Sequence, residues 1–184
     1  MGDLGAAVIA LAGSGLRIGE LLGLDVSDVD FLRRTIRVKR QRAQSGELAP
    51  PKSKSSGRTV PVGQTVIDSL AAYLKAGDRK SGPLFVSALG RPLTYGRWKP
   101  LWKTAAETAK VEATAHALRH FYASALIAGG ASVKQVQMVL GHASAMVTLR
   151  TYAHLWPGDD DRTRSIIDAV FDVPADQVRT KGAL

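Results

Sequence analysis

The residues of this chain that offer chemistry are cations, histidines and one tyrosine. They are Arg17, a lysine at position 52 or 54, His116, Arg119, His142 and Tyr152. Such a set suits phosphoryl transfer without a metal, because guanidinium groups bind phosphate oxygens bidentately and stabilise the charge of the transition state. A tyrosine hydroxyl, with an ordinary pKa of about 10, becomes a nucleophile where cations favour its phenolate and a histidine accepts its proton.

The position of Arg17 indicates an anion site. It follows a Gly-Ser-Gly break at residues 13–15 and opens a predicted helix. The helix dipole disfavours a cation there, so helix stability does not explain the residue. Backbone N–H groups at the same end attract anions. Glu20 lies one turn further on and is expected to hold the guanidinium; the alternative is a surface Arg–Glu pair.

The other candidates lie on predicted helices in the second half of the chain. His116 and Arg119 are three residues apart and are expected to share a face, with His120 pointing elsewhere. His142 follows a helix stop at Gly141, and Tyr152 comes ten residues later. Seen alone, a helical tyrosine is usually a half-buried core residue. Structural roles are expected for His154, Trp98, Trp102 and Trp156.

Hydrophobic periodicity predicts the elements that must position these residues. Helices are expected over 4–12, 17–24, 63–77, 94–110, 113–130, 132–141 and 144–155, and over about 161–171. Alternation over 35–40 and the segment 58–62 predict strands, joined by a loop over 43–57 and followed later by an extended piece over 82–93. The predicted fold class is therefore α+β and mainly α, a helical core with a small antiparallel β-sheet near the N-terminus.

Positive charge is concentrated in the first 153 residues. The whole chain has a net charge of +9, whereas residues 154–184 carry six aspartates and four basic residues. A basic body of this kind is typical of a protein that binds a polyanion; the alternative is a basic protein without a nucleic-acid partner. The chain has no cysteine, which excludes disulfides and cysteine metal sites. No stretch reaches the ~18 apolar residues of a membrane span.

Four sequence motifs together resemble the tyrosine recombinase family, the phage-type integrases. "GLRIGELLGL" is similar to the first arginine motif, "KSKSSGRTVPV" to the β-hairpin lysine segment, "HALRH" to the H-x-x-R box, and "LGHASAMVTLRTYAHL" to the L-G-H box with its nucleophile. They occur in the family's order over residues 11–155. The spacing from His142 to Tyr152 is ten, where nine is common.

The resemblance implies a catalytic role for each matching residue. Tyr152 would attack a scissile DNA phosphate and form a 3′-phosphotyrosine link. Arg17, Arg119 and His142 would bind the phosphate oxygens, and His116 would act as general base. Lys54, with Lys52 as the alternative, would protonate the leaving 5′-oxygen, and Glu20 would support Arg17. No metal, cofactor or ATP is implied.

The resemblance also implies a domain organisation and a set of partners. We expect a catalytic domain over 1–173 with a flexible tail over 174–184, and no N-terminal core-binding domain. The partner would be double-stranded DNA with attachment-type sites, bound by a tetramer in the cytoplasm of a bacterium, with a free protein that is monomeric. The helix near 161–171 would pack in trans on a neighbour or in cis on its own domain. A type IB topoisomerase-like enzyme and a DNA-binding module without catalysis are the alternative functions.

Overall fold

A computed structural model describes residues 2–51, 57–156 and 160–171. The described residues are mainly helical with small antiparallel sheets, which confirms the predicted fold class. In chain order the helices are α1 (Gly2–Ser14), α2 (Ile18–Leu22), α3 (Gln64–Ala76), α4 (Tyr95–Ala109), α5 (Ala115–Ala128), α6 (Val133–Leu140), α7 (Ala145–Tyr152) and α8 (Asp160–Phe171). Short 3₁₀ turns cover Val26–Asp28 and Ala153–Leu155.

The strands form two small antiparallel sheets near the start of the chain. β1 (Val29–Asp30), β2 (Thr35–Val38) and β5 (Arg58–Pro61) make a three-stranded sheet in the order β1-β2-β5. β3 (Gln41–Arg42) and β4 (Leu48–Ala49) form a separate hairpin. β4 falls inside the segment predicted as a loop over 43–57. Strands of two residues give too short an alternation to be recognised in the sequence.

Most predicted helices are shorter in the structure than in the prediction, and two of these differences affect candidate residues. α2 begins after Arg17, whose backbone is extended, and ends before Gly23, where the backbone of Gln41 approaches closely. The helix expected to continue to residue 155 ends at Tyr152 and tightens into a 3₁₀ turn. Within the predicted extended piece over 82–93, the structure has isolated bridges such as Val86↔Pro92 rather than a strand.

The core consists of two hydrophobic clusters. The first joins α1, α2, the three-stranded sheet and α3, with Leu11, Leu21, Ile36 and Leu70 fully buried. The second joins the C-terminal half of α5 to α6 and α7, and Tyr152 is one of its members. The three predicted packing tryptophans are consistent with this arrangement: Trp98 stacks on Trp102, and Trp156 donates a hydrogen bond to the carbonyl of Ala131.

Gly15 lies where the two clusters meet. Its φ of +61° is in the left-handed region that favours glycine. A Cβ on this residue would lie 2.4 Å from Cδ1 of Tyr122 and 3.0 Å from Cδ2 of Leu140. The break before α2 therefore needs a glycine both for its backbone angle and for the close approach of α5 and α6.

We predict that Gly15→Ala lowers the free energy of unfolding more than Gly130→Ala does. Gly130 also has a positive φ, +84°, but a Cβ there would meet no atom within 4 Å. Both variants carry backbone strain, and only Gly15→Ala adds overpacking, which typically costs about 1–3 kcal/mol. Urea denaturation of the two variants measures the difference. Equal losses would show that α5 and α6 do not press on this turn.

Candidate active site

Arg119 joins the two clusters through a buried guanidinium group. Its exposure is 2 %. Nη1 donates to the carbonyl of Gly15 at 2.5 Å, and Nη2 donates to the carbonyl of Leu140 at 2.7 Å. These carbonyls lie at the C-terminal ends of α1 and α6, where backbone acceptors lack partners within the helix and carry partial negative charge. Burial, together with repulsion by Arg17, lowers the pKa of Arg119 to about 10, so the group stays charged at neutral pH.

Arg17 and Glu20 form the pair that the sequence predicts. Nη1 of Arg17 donates to Oε1 of Glu20 at 3.0 Å, and the backbone N–H of Arg17 donates to Oε2 at 2.9 Å. The carboxylate is buried, whereas the Arg17 side chain is 38 % exposed. The guanidinium is therefore anchored at one end and accessible to solvent.

Arg58 is a site residue that the sequence analysis did not select. It is the first residue of β5 and binds both oxygens of Glu20, each at 3.0 Å, through Nη1 and Nη2. Its Nε donates to the carbonyl of Val139 at 2.7 Å. The strand alternation contained a signal for it, because Arg58, Val60 and Val62 lie on the same side of an extended chain, and Val60 is fully buried.

His142 is held by a threonine that was also missed. Its Nδ1 lies 2.9 Å from Oγ1 of Thr148, a fully buried residue on α7. In the tautomer whose Nδ1 accepts a hydrogen bond from the Thr148 hydroxyl, Nε2 carries the ring N–H. That N–H can donate a hydrogen bond to a phosphate oxygen. Thr148 precedes Tyr152 by four residues, so helical spacing puts both on one face of α7.

The prediction that His120 points away from the site is wrong. The His116 and His120 rings meet edge to face with centroids 4.7 Å apart, and the His120 and Tyr152 rings are 5.4 Å apart. His116 and His120 differ by four residues, a spacing that brings side chains together on a helix. The His120 ring thus contacts both the predicted base and the predicted nucleophile. His154, expected to be structural, is exposed.

The charge of Arg119 favours the phenolate form of Tyr152, as predicted, but burial outweighs it. Tyr152 is 4 % exposed. Burial raises the pKa of its hydroxyl, and the opposing charge of Arg119 does not compensate. Burial and the neighbouring His120, Arg119 and Arg17 lower the pKa of His116, which leaves that ring neutral and able to accept a proton.

The charges of the site act on one another over short distances. Arg17, Arg58 and Arg119 each lower the pKa of His142, and Arg17 and Arg58 lower that of Arg119. The contacts bring the three guanidinium groups together, because Arg17 and Arg58 share the Glu20 carboxylate and Arg119 binds the carbonyl of Gly15, two residues before Arg17. Lys52 and Lys54 lie outside the described residues, in the segment before β5. The gathered groups can bind a phosphate and stabilise negative charge that develops on its oxygens.

Comparison with known proteins identifies the family. A family model described as "Phage integrase family" matches residues 4–157. The chain belongs to the phage integrase family of tyrosine recombinases. This integrase-family domain is 32% identical over 194 residues to a tyrosine recombinase XerC-like protein of Caldanaerobacter subterraneus subsp. tengcongensis, covering 91% of the chain and 50% of the relative. It is 34% identical over 176 residues to tyrosine recombinase XerD of Mycobacterium tuberculosis, covering 86% and 52%.

Solved structures of the same family are also similar to this domain. The Tn1549 transposon integrase, in complex with a circular intermediate DNA, superimposes with a TM-score of 0.74 at 27% identity. The match covers 90% of this chain and 58% of that chain. The domain spans about half the length of the curated relatives that it matches. Among the described residues, none of the helices combines the length and apolar character that a bilayer span requires.

We predict that His142 makes the stability of the domain depend on pH. Burial, with repulsion from the nearby arginines, lowers its pKa from 6.5 to about 4. Between these values the unfolded chain binds a proton at this ring and the folded chain does not. The contribution of the neutral His142 ring to the free energy of unfolding is therefore complete above pH 6.5, and it is lost as the pH falls toward 4. Urea unfolding of wild type and His142→Gln should converge in stability at the lower pH. A difference that is the same at every pH would contradict this.

Proposed function

We propose that this domain cuts and rejoins strands of double-stranded DNA through a covalent tyrosine intermediate, as the catalytic part of a site-specific recombinase. The observation that carries the proposal is the grouping of Arg17, Arg119 and His142 around one region beside Tyr152. In the reaction, Oη of Tyr152 attacks a scissile phosphorus, the bond from phosphorus to the 5′-oxygen breaks, and a 3′-phosphotyrosine link forms. A 5′-hydroxyl then attacks the link and restores the phosphodiester, so bond energy is conserved without ATP.

The arginines and His142 bind the phosphate in this mechanism. Arg17 has the solvent-accessible guanidinium, and Arg119 is held rigid by two backbone carbonyls. His142 is neutral near pH 7 and donates from Nε2 when its other nitrogen accepts from Thr148. Donors fixed before the substrate binds need no reorganisation as charge develops on the phosphate oxygens, which is the main source of rate acceleration in such sites.

Proton transfers complete the reaction. The proton of the Tyr152 hydroxyl passes to His116 through His120, whose ring contacts the rings of both residues and can accept a proton at one nitrogen as it releases one from the other. Lys54, or Lys52 in its place, gives a proton to the 5′-oxygen as it leaves. Burial raises the pKa of Tyr152, so the hydroxyl stays protonated until a phosphate is bound and a base accepts the proton. This limits attack on other electrophiles in the absence of DNA.

The choice of DNA as substrate is supported by charge and by the relatives. The first 153 residues hold the excess of positive charge. The relatives bear the names of tyrosine recombinases, and a similar integrase was solved with a circular intermediate DNA. We propose attachment-type DNA sites as substrate and the bacterial cytoplasm, at the nucleoid, as the place of action. The domain over 1–173 remains a prediction, as does the tail over 174–184, which lies outside the described residues.

We predict that the wild-type domain forms a covalent adduct with nicked duplex DNA and that Tyr152→Phe does not. A pool of duplexes with randomised sequence is suitable, each nicked so that the released 5′-hydroxyl strand diffuses away. Denaturing gels detect the adduct, and mass spectrometry of the linked peptide identifies its tyrosine. Tyr73→Phe is the matched control, because Tyr73 stacks on Phe85 in the first cluster and should leave the adduct intact.

The outcomes separate the alternative functions. DNA binding by Tyr152→Phe should equal that of wild type and weaken steeply with salt. An adduct that persists in Tyr152→Phe would refute the assignment. Binding without any adduct in wild type would indicate a DNA-binding module. Relaxation of supercoiled plasmid without exchange between two sites would indicate topoisomerase-type activity.

We also propose that the domain is a monomer when free and assembles as a tetramer on DNA. The apolar residues of α8 support trans packing of this helix over packing on its own domain. Ile166, Ile167, Val170 and Phe171 are all exposed, Phe171 by 82 %. An amphipathic helix with an uncovered apolar face is typical of a segment that binds another surface.

We predict that Ile167→Asp prevents assembly on DNA without unfolding the domain. A charge on the apolar face of α8 opposes its burial against a neighbour. Sedimentation velocity with and without duplex DNA measures the oligomer. Leu32→Asp, at a residue that is 97% exposed, should assemble like wild type. A free tetramer, or a variant that assembles normally on DNA, would contradict the prediction.

A further inference from the structure

Arg58 connects three separate parts of the site. Its side chain is 7% exposed and starts from β5. Two of its nitrogens bind the Glu20 carboxylate on α2, and the third donates to the carbonyl of Val139 near the end of α6. A planar guanidinium directs its hydrogen bonds in a fixed fork. These bonds therefore restrict how β5, α2 and the end of α6 can lie relative to one another.

Arg58 determines the position of Arg17 through the carboxylate of Glu20. Oε1 of Glu20 accepts from the side chains of Arg17 and Arg58, and Oε2 accepts from the backbone of Arg17 and from Arg58. Burial alone would raise the pKa of Glu20, but the bonds and charges of both arginines lower it. The carboxylate therefore stays ionised and is held from two directions, and through it the position of Arg17 depends on Arg58.

Arg58 also supports the turn that carries His142. Gly141 has a φ of +65°, and a Cβ there would lie 2.8 Å from Nη1 of Arg58. The turn thus lies directly on the guanidinium. Its neighbour Leu140 offers the carbonyl that binds Arg119, and His142 is the next residue. A displacement of Arg58 would be transmitted to both of these groups.

We infer that Arg58 is a positioning residue that holds Arg17 and His142 in place to bind one phosphate, acting through Glu20 and the turn at Gly141. The inference rests on the proposed function for its catalytic consequence, and on the contacts alone for its structural one. Arg58 need not touch the DNA for this role. A misplacement of phosphate-binding groups by about 1 Å can lower a rate by about a hundredfold.

The chain offers a matched control for the loss of a partly buried arginine. Arg40 donates to the carboxylates of Asp25 and Asp28, at the 3₁₀ turn before β1. These contacts involve none of the residues that the mechanism uses. Arg40→Met therefore removes comparable ion pairs without moving Arg17 or His142, and it reports what lost stability alone does to the reaction.

The kinetic test compares Arg58→Met, Arg58→Lys and Arg40→Met in single-turnover adduct formation at saturating DNA. Both Arg58 variants should lower the rate constant by about tenfold to a hundredfold with little change in Kd, because Lys cannot reproduce a three-way fork. Arg40→Met should react like wild type even where its Tm is equally low. Equal rates for wild type and Arg58→Met, or an equal loss in Arg40→Met, would overturn the inference.

A spectroscopic test is independent of activity. The charge of Arg58 contributes to lowering the pKa of His142, so Arg58→Met should raise the pKa of that imidazole in an NMR titration, and Arg40→Met should not. An unchanged titration in Arg58→Met would overturn the placement. Failure of wild type to form an adduct would refute the proposed function instead, and the titration would still decide whether the charge of Arg58 lies close to His142.

Discussion

The site depends on how three guanidinium groups are kept together at the junction of two hydrophobic clusters. Like charges at close range repel, and burial adds a desolvation cost. The structure offsets both costs with acceptors that helices leave unpaired at their C-terminal ends. Arg119 binds the carbonyls of Gly15 and Leu140, and Arg58 binds that of Val139. Glu20 supplies the carboxylate that Arg17 and Arg58 share.

This arrangement leaves positive charge unbalanced where a phosphate would bind. One carboxylate serves two arginines, and the partners of Arg119 are dipoles rather than charges. An anion that enters the region therefore meets fixed donors. The neutral histidines fit the same pattern, because nearby cations and burial lower the pKa of both His116 and His142. The positive charge of the arginines thus opposes protonation of the two histidines and favours the binding of an anion such as a phosphate.

The proposed nucleophile belongs to a different part of the core from the first arginine. Tyr152 is the last residue of α7 and packs in the second cluster, whereas α2 and Glu20 pack with the first. Arg119 and Arg58 both donate hydrogen bonds to the two parts, Arg119 to the carbonyls of Gly15 and Leu140 and Arg58 to Glu20 and the carbonyl of Val139. The relative placement of the proposed phosphate-binding groups and the tyrosine consequently depends on a few buried polar contacts across the junction, supported by the glycine turns at Gly15 and Gly141.

The sequence by itself determined the helices, the small sheet, the family motifs and the cationic character of the site, because these follow from local periodicity, residue type and spacing. It paired Arg17 with Glu20 correctly, since that contact lies within one turn. Only the tertiary structure decided that Arg58 shares Glu20, that His120 lies against Tyr152, and that burial outweighs charge at the tyrosine hydroxyl. Contacts between β5 and α2, or between α5 and α7, and the solvent exclusion that shifts a pKa, exist only once distant segments pack together.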